Sequence, residues 1–275
     1  MTLFRLALVA SVSLSAVAFA QTTPDPNQPA TTSGGLYTLD TFPLKEIERT
    51  LTMTEGVFEL RPTLTAGLDK GATFETWTVG LDARYGLQDT IELQAGTDLV
   101  LAAPDGLEKP KSFFVAGELA LKYDTVDVRA GISLPVDPDF LFDIFVGLPV
   151  RLRIGPSMAI VGLEEVIIIH TIKPDGASET PKPDLKISAA GIVQLMDQLA
   201  VFVRATVLVV EFDTRAQIPV QADVQYSVSN ILDIGLQFVL SDLRFKTPTI
   251  GEVAGESKPF DHKSIALFAR FRFGR

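Results

Sequence analysis

Period-two alternation is the feature that most constrains this chain. Between residues 77 and 85, Trp77, Val79, Leu81, Ala83 and Tyr85 are apolar, while Thr78, Asp82 and Arg84 between them are polar. After a break at 86–89, Ile91, Leu93, Ala95 and Leu99 alternate with Glu92, Gln94 and Asp98. Alternation on both sides of a Gly-containing break predicts a tight antiparallel hairpin. The same phrase recurs at Tyr226-Ser227-Val228-Ser229-Asn230-Ile231-Leu232-Asp233-Ile234, and more weakly at Leu195-Met196-Asp197-Gln198-Leu199-Ala200-Val201. About twelve such segments follow Gly56, near residues 56–67, 73–85, 90–102, 112–123, 126–134, 142–154, 158–169, 185–195, 198–211, 215–228, 231–240 and 263–273. The seventh, around Glu164-Glu165-Val166-Ile167-Ile168-Ile169, alternates poorly. A chain of hairpins is all-β.

Segment length and connection length narrow the class further. Ten residues at a tilt near 45° rise about 23 Å, close to the apolar band of an outer-membrane barrel. Every other connection is short (86–89, 124–125, 155–157, 196–197 and 229–230), while several of those between are long and polar (103–111, 135–141, 171–184 and 241–262). That asymmetry predicts a transmembrane antiparallel up-and-down barrel with its turns in the periplasm. An even strand count places both termini on that side. Tyr85, Tyr123 and Tyr226 each end a segment just before a short turn, and Phe271 and Phe273 lie at the same level of the last one. Together they predict an aromatic girdle at one membrane interface. A soluble β-sandwich would also alternate, but it needs neither girdle nor alternating turn lengths.

The N-terminus fits export. Arg5 precedes an uncharged apolar run ending in Ala18-Phe19-Ala20, which reads as a signal peptide over residues 1–20. Residues 21–35, rich in Pro, Thr, Ser and Gly, read as a disordered leader. Residues 36–55 have no clear period and are expected to form an extended or short helical periplasmic segment before a barrel over 56–275. The chain has no cysteine and a formal charge of −10, which excludes disulfides and disfavours nucleic acid as a partner. Apolar residues make up 47% of it, a surplus that suits lipid as the surrounding medium.

The inward face is where function is expected. A ring of charges near the turn end is predicted from Glu59, Arg84, Glu92, Lys122, Asp127, Arg270 and Arg272, with Arg84 opposite Glu92, Lys122 opposite Asp127, and Arg270 or Arg272 brought towards Glu59 by closure. In later segments the inward set turns apolar, giving a stripe of Ile192, Phe202, Leu208, Val210 and Phe268. Catalytic chemistry is sparse. The two histidines, His170 and His262, give no metal site of three or four ligands. No Gly-rich phosphate loop is present, and no cofactor is expected. His262-Lys263-Ser264 would put an imidazole and a hydroxyl on one face, as in outer-membrane lipid hydrolases, with Asp242 or Asp69 as a third member. Ala266, Arg270 and Arg272 share that face, which points inward, so a non-enzyme is expected.

Arg84-Tyr85-Gly86-Leu87-x-Asp89-x-Ile91-Glu92-Leu93 resembles a hairpin of the small outer-membrane barrels known as the meta-pathway phenol-degradation, or transporter-like, family. The stretch Ile47-Glu48-Arg49-Thr50-Leu51-Thr52-Met53-Thr54-Glu55-Gly56-Val57-Phe58-Glu59-Leu60 is similar to the lead-in to their first strand. The C-terminal Phe271-Arg272-Phe273 resembles their aromatic-x-aromatic insertion signal, though this chain continues through Gly274 and Arg275 and has Phe268 where that signal usually has Gly. The resemblance implies a passive channel or transporter for small, often apolar, solutes, with membrane lipid and the barrel-assembly machinery as partners. The alternative expectation is a structural or surface-interaction barrel with a closed lumen.

Overall fold

The computed structural model describes residues 35–69, 72–102, 110–135, 142–170, 183–210, 215–243 and 262–274. The expected signal peptide, the leader up to residue 34 and the greater part of the long loops lie outside the described residues. Twelve strands form one closed antiparallel sheet. They are β1 (Val57–Asp69), β2 (Ala72–Gln88), β3 (Ile91–Ala102), β4 (Pro110–Lys122), β5 (Val126–Pro135), β6 (Asp143–Gly147 and Val150–Arg153), β7 (Met158–Gly162 and Ile167–His170), β8 (Asp184–Met196), β9 (Leu199–Val210), β10 (Arg215–Gln217 and Val220–Ser229), β11 (Leu232–Leu240) and β12 (Lys263–Gly274). Each pairs with its sequence neighbours, and β12 closes on β1 with Glu59 opposite Arg272 and Phe58 opposite Phe273. Closure leaves no free edge, which is the condition for spanning a bilayer with strands.

The distribution of side chains is inverted relative to a water-soluble protein. On β12, Leu267, Phe271 and Phe273 face outward and exposed, whereas Ala266, Phe268 and Arg272 face inward and buried. The same parity exposes Leu81, Leu93, Val115 and Val203 outside and buries Glu59, Glu92, Glu118, Asp127, Gln225 and Asp233 inside. Exposed leucines on one face and fully buried carboxylates on the other are stable only if the outer medium is apolar.

Three strands are interrupted, and the sequence says why. Pro149 and Pro219 lack an N–H for the ladder, so β6 and β10 each break there. Their carbonyls still accept bonds, from Asp127 N at 2.8 Å and Thr206 N at 3.0 Å. In β7 the break falls at 163–166, where Leu163 has φ +58° and the chain bends so that Glu164 meets Arg204. This is the segment whose alternation fails in the sequence.

Four turn-end hairpins share one construction. A bulge leaves Leu87, Leu121, Leu195 or Val228 without a partner one residue before the strand ends, and all four side chains are exposed. The recurring phrase in the sequence is therefore a bulged hairpin. The extra residue corrects the expected register. Arg84 lies opposite Gln94, not Glu92, and the turn is Asp89-Thr90, not 86–89. Lys122 lies opposite Val126, while Asp127 faces Ala120.

The lumen and its closing segment

Residues 36–55 do not stand apart from the barrel. They cross its turn end inside the wall, with single turns of 3-10 helix at Leu39–Thr41 and Glu46–Glu48 and extended chain elsewhere. Met53, Ile47 and Phe42 are buried. Ile47 joins a cluster with Ala159, Val161, Ala190 and Ile192, against which Phe202 packs.

Arg49 is the centre of the attachment. Its guanidinium donates to Asp233 at 2.7 and 2.9 Å, to Glu46 at 2.5 Å and to Ser227 Oγ at 3.1 Å. Asp233 also takes Arg272, which in turn reaches Glu59 at 2.9 Å. Glu46 accepts from Gln225 at 2.9 Å and pairs with Arg270 at 3.2 Å. Phe42 lies between two cations, with Arg272 at 4.4 Å and Arg49 at 5.4 Å from its ring centre. An arginine inside the wall needs such partners, because an uncompensated buried charge costs several kcal/mol. Burial alone would raise the Glu46 pKa, but Arg49 and Arg270, helped by the Gln225 amide, hold it well below the usual carboxylate range.

The opposite side of the mouth is tied by the Arg84–Leu93 hairpin. Asp89, at the turn, accepts from Leu36 N and Glu55 N at 3.0 Å each and from Thr54 Oγ1 at 2.8 Å. Glu92 takes a bidentate pair from Arg84 at 2.7 Å and accepts Met53 N at 2.5 Å. Arg84 also donates to Leu51 O at 2.6 Å. Gly86 is in the ladder, not the turn. A Cβ there would come within 2.1 Å of Thr54 O, so the residue must be glycine for the segment to lie against β2. Elsewhere around the rim, Ile47 O accepts from Arg153 at 2.9 Å and Leu51 N donates to Asp124 at 3.2 Å.

Above this floor lies a cavity of about 480 Å³ within the barrel. Phe42, Glu46, Arg49 and Leu51 contribute to its lining from the segment, and Arg61, Asp82, Arg129 and Asp223 from the wall. The residues expected to form a charge ring are distributed as follows. Glu59, Arg84, Glu92, Arg270 and Arg272 bear on the segment or on each other near the turn end. Asp127 is buried on the inner face of β5, and Lys122 is exposed and joins no ion pair among the described residues. Of the apolar stripe, Ile192 and Phe202 meet Ile47, Phe268 lies against Gly235 and under Arg61, and Leu208 is half-buried; the Val210 side chain lies outside the described residues. Tyr85, Tyr226, Phe271 and Phe273 are exposed on the outer face, whereas Tyr123 is half-buried at its turn. His262 Nδ1 is 3.3 Å from Asp69, no hydrogen bond joins it to Ser264 among the described residues, and Asp242 accepts from Ile218 N. Sequence reasoning missed Phe42, Glu46, Arg49, Asp89 and Gln194 as lumen residues. The available signal was that the charges and glycine around residues 84–92 exceed what a turn needs.

This is the architecture of a closed twelve-stranded β-barrel of the transmembrane kind, polar within and apolar without. Among solved structures, the KdgM porin superposes with a TM-score of 0.53 at 6% identity, over 78% of this chain and 99% of that one. The KdgM porin in complex with disordered oligogalacturonate gives 0.51 at 6% identity, over 79% and 99%. The COG4313 outer membrane channel from Pseudomonas putida F1 gives 0.49 at 11%, over 81% and 97%. At such identities these likenesses are likenesses of fold. No family model matches the chain, and no curated protein sequence does either.

Replacing Gly86 with Leu should push residues 53–55 off β2 and expose Lys45 and Arg49 to trypsin in the folded, detergent-solubilised barrel, with the wild type uncut there. Equal resistance in both would mean that the close approach at Gly86 does not hold the segment. A second expectation concerns pH. Because the folded pKa of Glu46 is depressed, its contribution is present above its ordinary value of 4.5 and is lost as the pH falls through the folded value. In hydrogen exchange, residues 46–53 of wild type should be better protected than those of Glu46→Gln at neutral pH, and the gap should narrow in acid. A gap that widens in acid would contradict the assignment.

Proposed function

We propose that this protein is an outer-membrane channel for small molecules whose turn-end mouth is closed by its own residues 36–55. The observation that carries the reading is a cavity enclosed by a closed, outwardly apolar barrel, with a floor made by a segment rather than by the wall. A floor held through polar side chains is removable: its ion pairs and hydrogen bonds can be exchanged for water. The porin likeness of the fold agrees with this role, as does the resemblance of residues 84–93 and 47–60 to the meta-pathway phenol-degradation barrels, which favours small solutes. In this reading membrane lipid surrounds the exposed outer face, the barrel-assembly machinery engages β12, and both termini and the short turns lie in the periplasm.

The attachment of the segment also favours a second reading, a barrel whose lumen stays shut and whose role is structural. Single-channel recording in planar bilayers separates the two. The wild type should show brief openings, and Arg49→Gln, which removes one partner from a buried charge network, should raise the open probability at least about tenfold. Silence of both proteins would support the permanently closed barrel. For orientation, a cysteine placed at Gln88 should resist membrane-impermeant thiol reagents on intact cells and react once the outer membrane is opened. Labelling on intact cells would reverse the topology.

A further inference from the structure

Among the described residues, two arginines of the cavity wall are bonded neither to the closing segment nor, as Arg151 and Arg204 are, to a carboxylate. Arg61 on β1 faces Asp82 across the ladder, and Arg129 on β5 faces Glu118. Neither guanidinium forms an ion pair within 4.0 Å among the described residues. Each lies instead against a phenyl ring, Arg61 at 4.4 Å from the Phe268 centre and Arg129 at 5.5 Å from that of Phe145. The Nε of each is buried and has no hydrogen-bond partner. A buried donor without an acceptor costs free energy; Arg151 Nε on the same cavity also lacks one, but its guanidinium is ion-paired with Asp124, so Arg61 and Arg129 mark the place where an acceptor is missing. The ladder acids do not supply it. Asp82, opposite Arg61, makes no ion pair with it within 4.0 Å among the described residues, Glu118 accepts from Gln94 Nε2 at 3.0 Å, and nearby Asp223 is held through one oxygen by Gln221 Nε2 at 2.7 Å.

The rest of the lining defines the other half of a ligand. Val161, Ile192 and Phe202 form an apolar wall of the same cavity, and Phe114 adds another ring. We infer that the mid-lumen is a binding site for a small monocarboxylate with an apolar body, its carboxylate received by Arg61 and Arg129. Arginine presents parallel donors that match a carboxylate, and its stacking on a ring fixes the fork in advance. Asp82, Asp98, Glu118 and Asp223 line the cavity too, and they set the limit on charge. A second negative charge on the ligand would face carboxylates, so dianions and acidic oligomers are disfavoured. The site rests on the reading of the lumen as a solute path and gives that path a substrate class.

The test is calorimetric titration of the detergent-solubilised full chain with benzoate, benzyl alcohol and terephthalate. Benzoate should bind, benzyl alcohol should bind at least about tenfold more weakly, and terephthalate should bind no more tightly than benzoate. Arg61→Gln and Arg129→Gln should each weaken benzoate by at least about tenfold and leave benzyl alcohol unchanged. Absence of benzoate binding, equal binding of benzyl alcohol, tighter binding of terephthalate, or full benzoate affinity in either variant would overturn the site. Should a variant fail to fold, judged by loss of heat-modifiable migration in gels, the wild-type preference for benzoate over benzyl alcohol and its decline with added chloride decide. Binding without conductance in bilayers would support the site while removing the channel reading. Conductance without benzoate binding would remove the site and leave the channel.

Discussion

The structure depends on one charge placed where water is scarce. Arg49 enters the barrel on a segment that belongs to no strand, and the wall answers it with Asp233, Ser227 and the shared partner Glu46. Arg272 and Arg270, each needed by a carboxylate of the first strand or of the segment, tie the barrel's closing seam into the same network. The seam between β12 and β1 and the closure of the mouth are thus one electrostatic system. Removing a single member would leave its neighbours buried with a charge unmatched, which is what gives such networks their specificity and also their vulnerability.

The bulged hairpins give that system its geometry. A bulge just before each turn adds a residue to one strand and increases the local twist. Polar groups at or beside these bulges then reach the segment: Asp89 and Glu92 on one hairpin, Gln194 on another, Ser227 and Asp233 on a third. The two stretches that carry the family resemblance, 84–93 and 47–60, touch each other in the fold. Their residues are suited to one another as much as to their own turns, and Gly86 is the plainest case, since its missing Cβ is the space through which Thr54 passes.

Strand positions and inward parity were legible in the sequence because period-two alternation depends on one variable, which medium each face meets. Twelve segments and even the defect at Glu164 could be read in that way. Register at the turns was not legible. The extra residues Leu87 and Leu121 are apolar and exposed like any outward residue, so alternation does not reveal that they lack partners. Arg84 therefore finds Glu92 on the diagonal instead of directly opposite. Residues 36–55 were opaque for a different reason. The bonds that hold them to the wall are with residues distant in sequence, and an aperiodic stretch shows nothing of where such partners lie until the barrel has brought them together.

The central claim is that conduction requires residues 36–55 to leave the lumen. The chain has no native cysteine, so Ile47→Cys and Ile192→Cys, which share one buried cluster, can be joined by a short reducible bis-thiosulfonate linker. Single-channel recording of the linked protein, before and after reductant, measures the claim directly. The account predicts silence while linked and restored openings after reduction. Identical currents in the two states would contradict it.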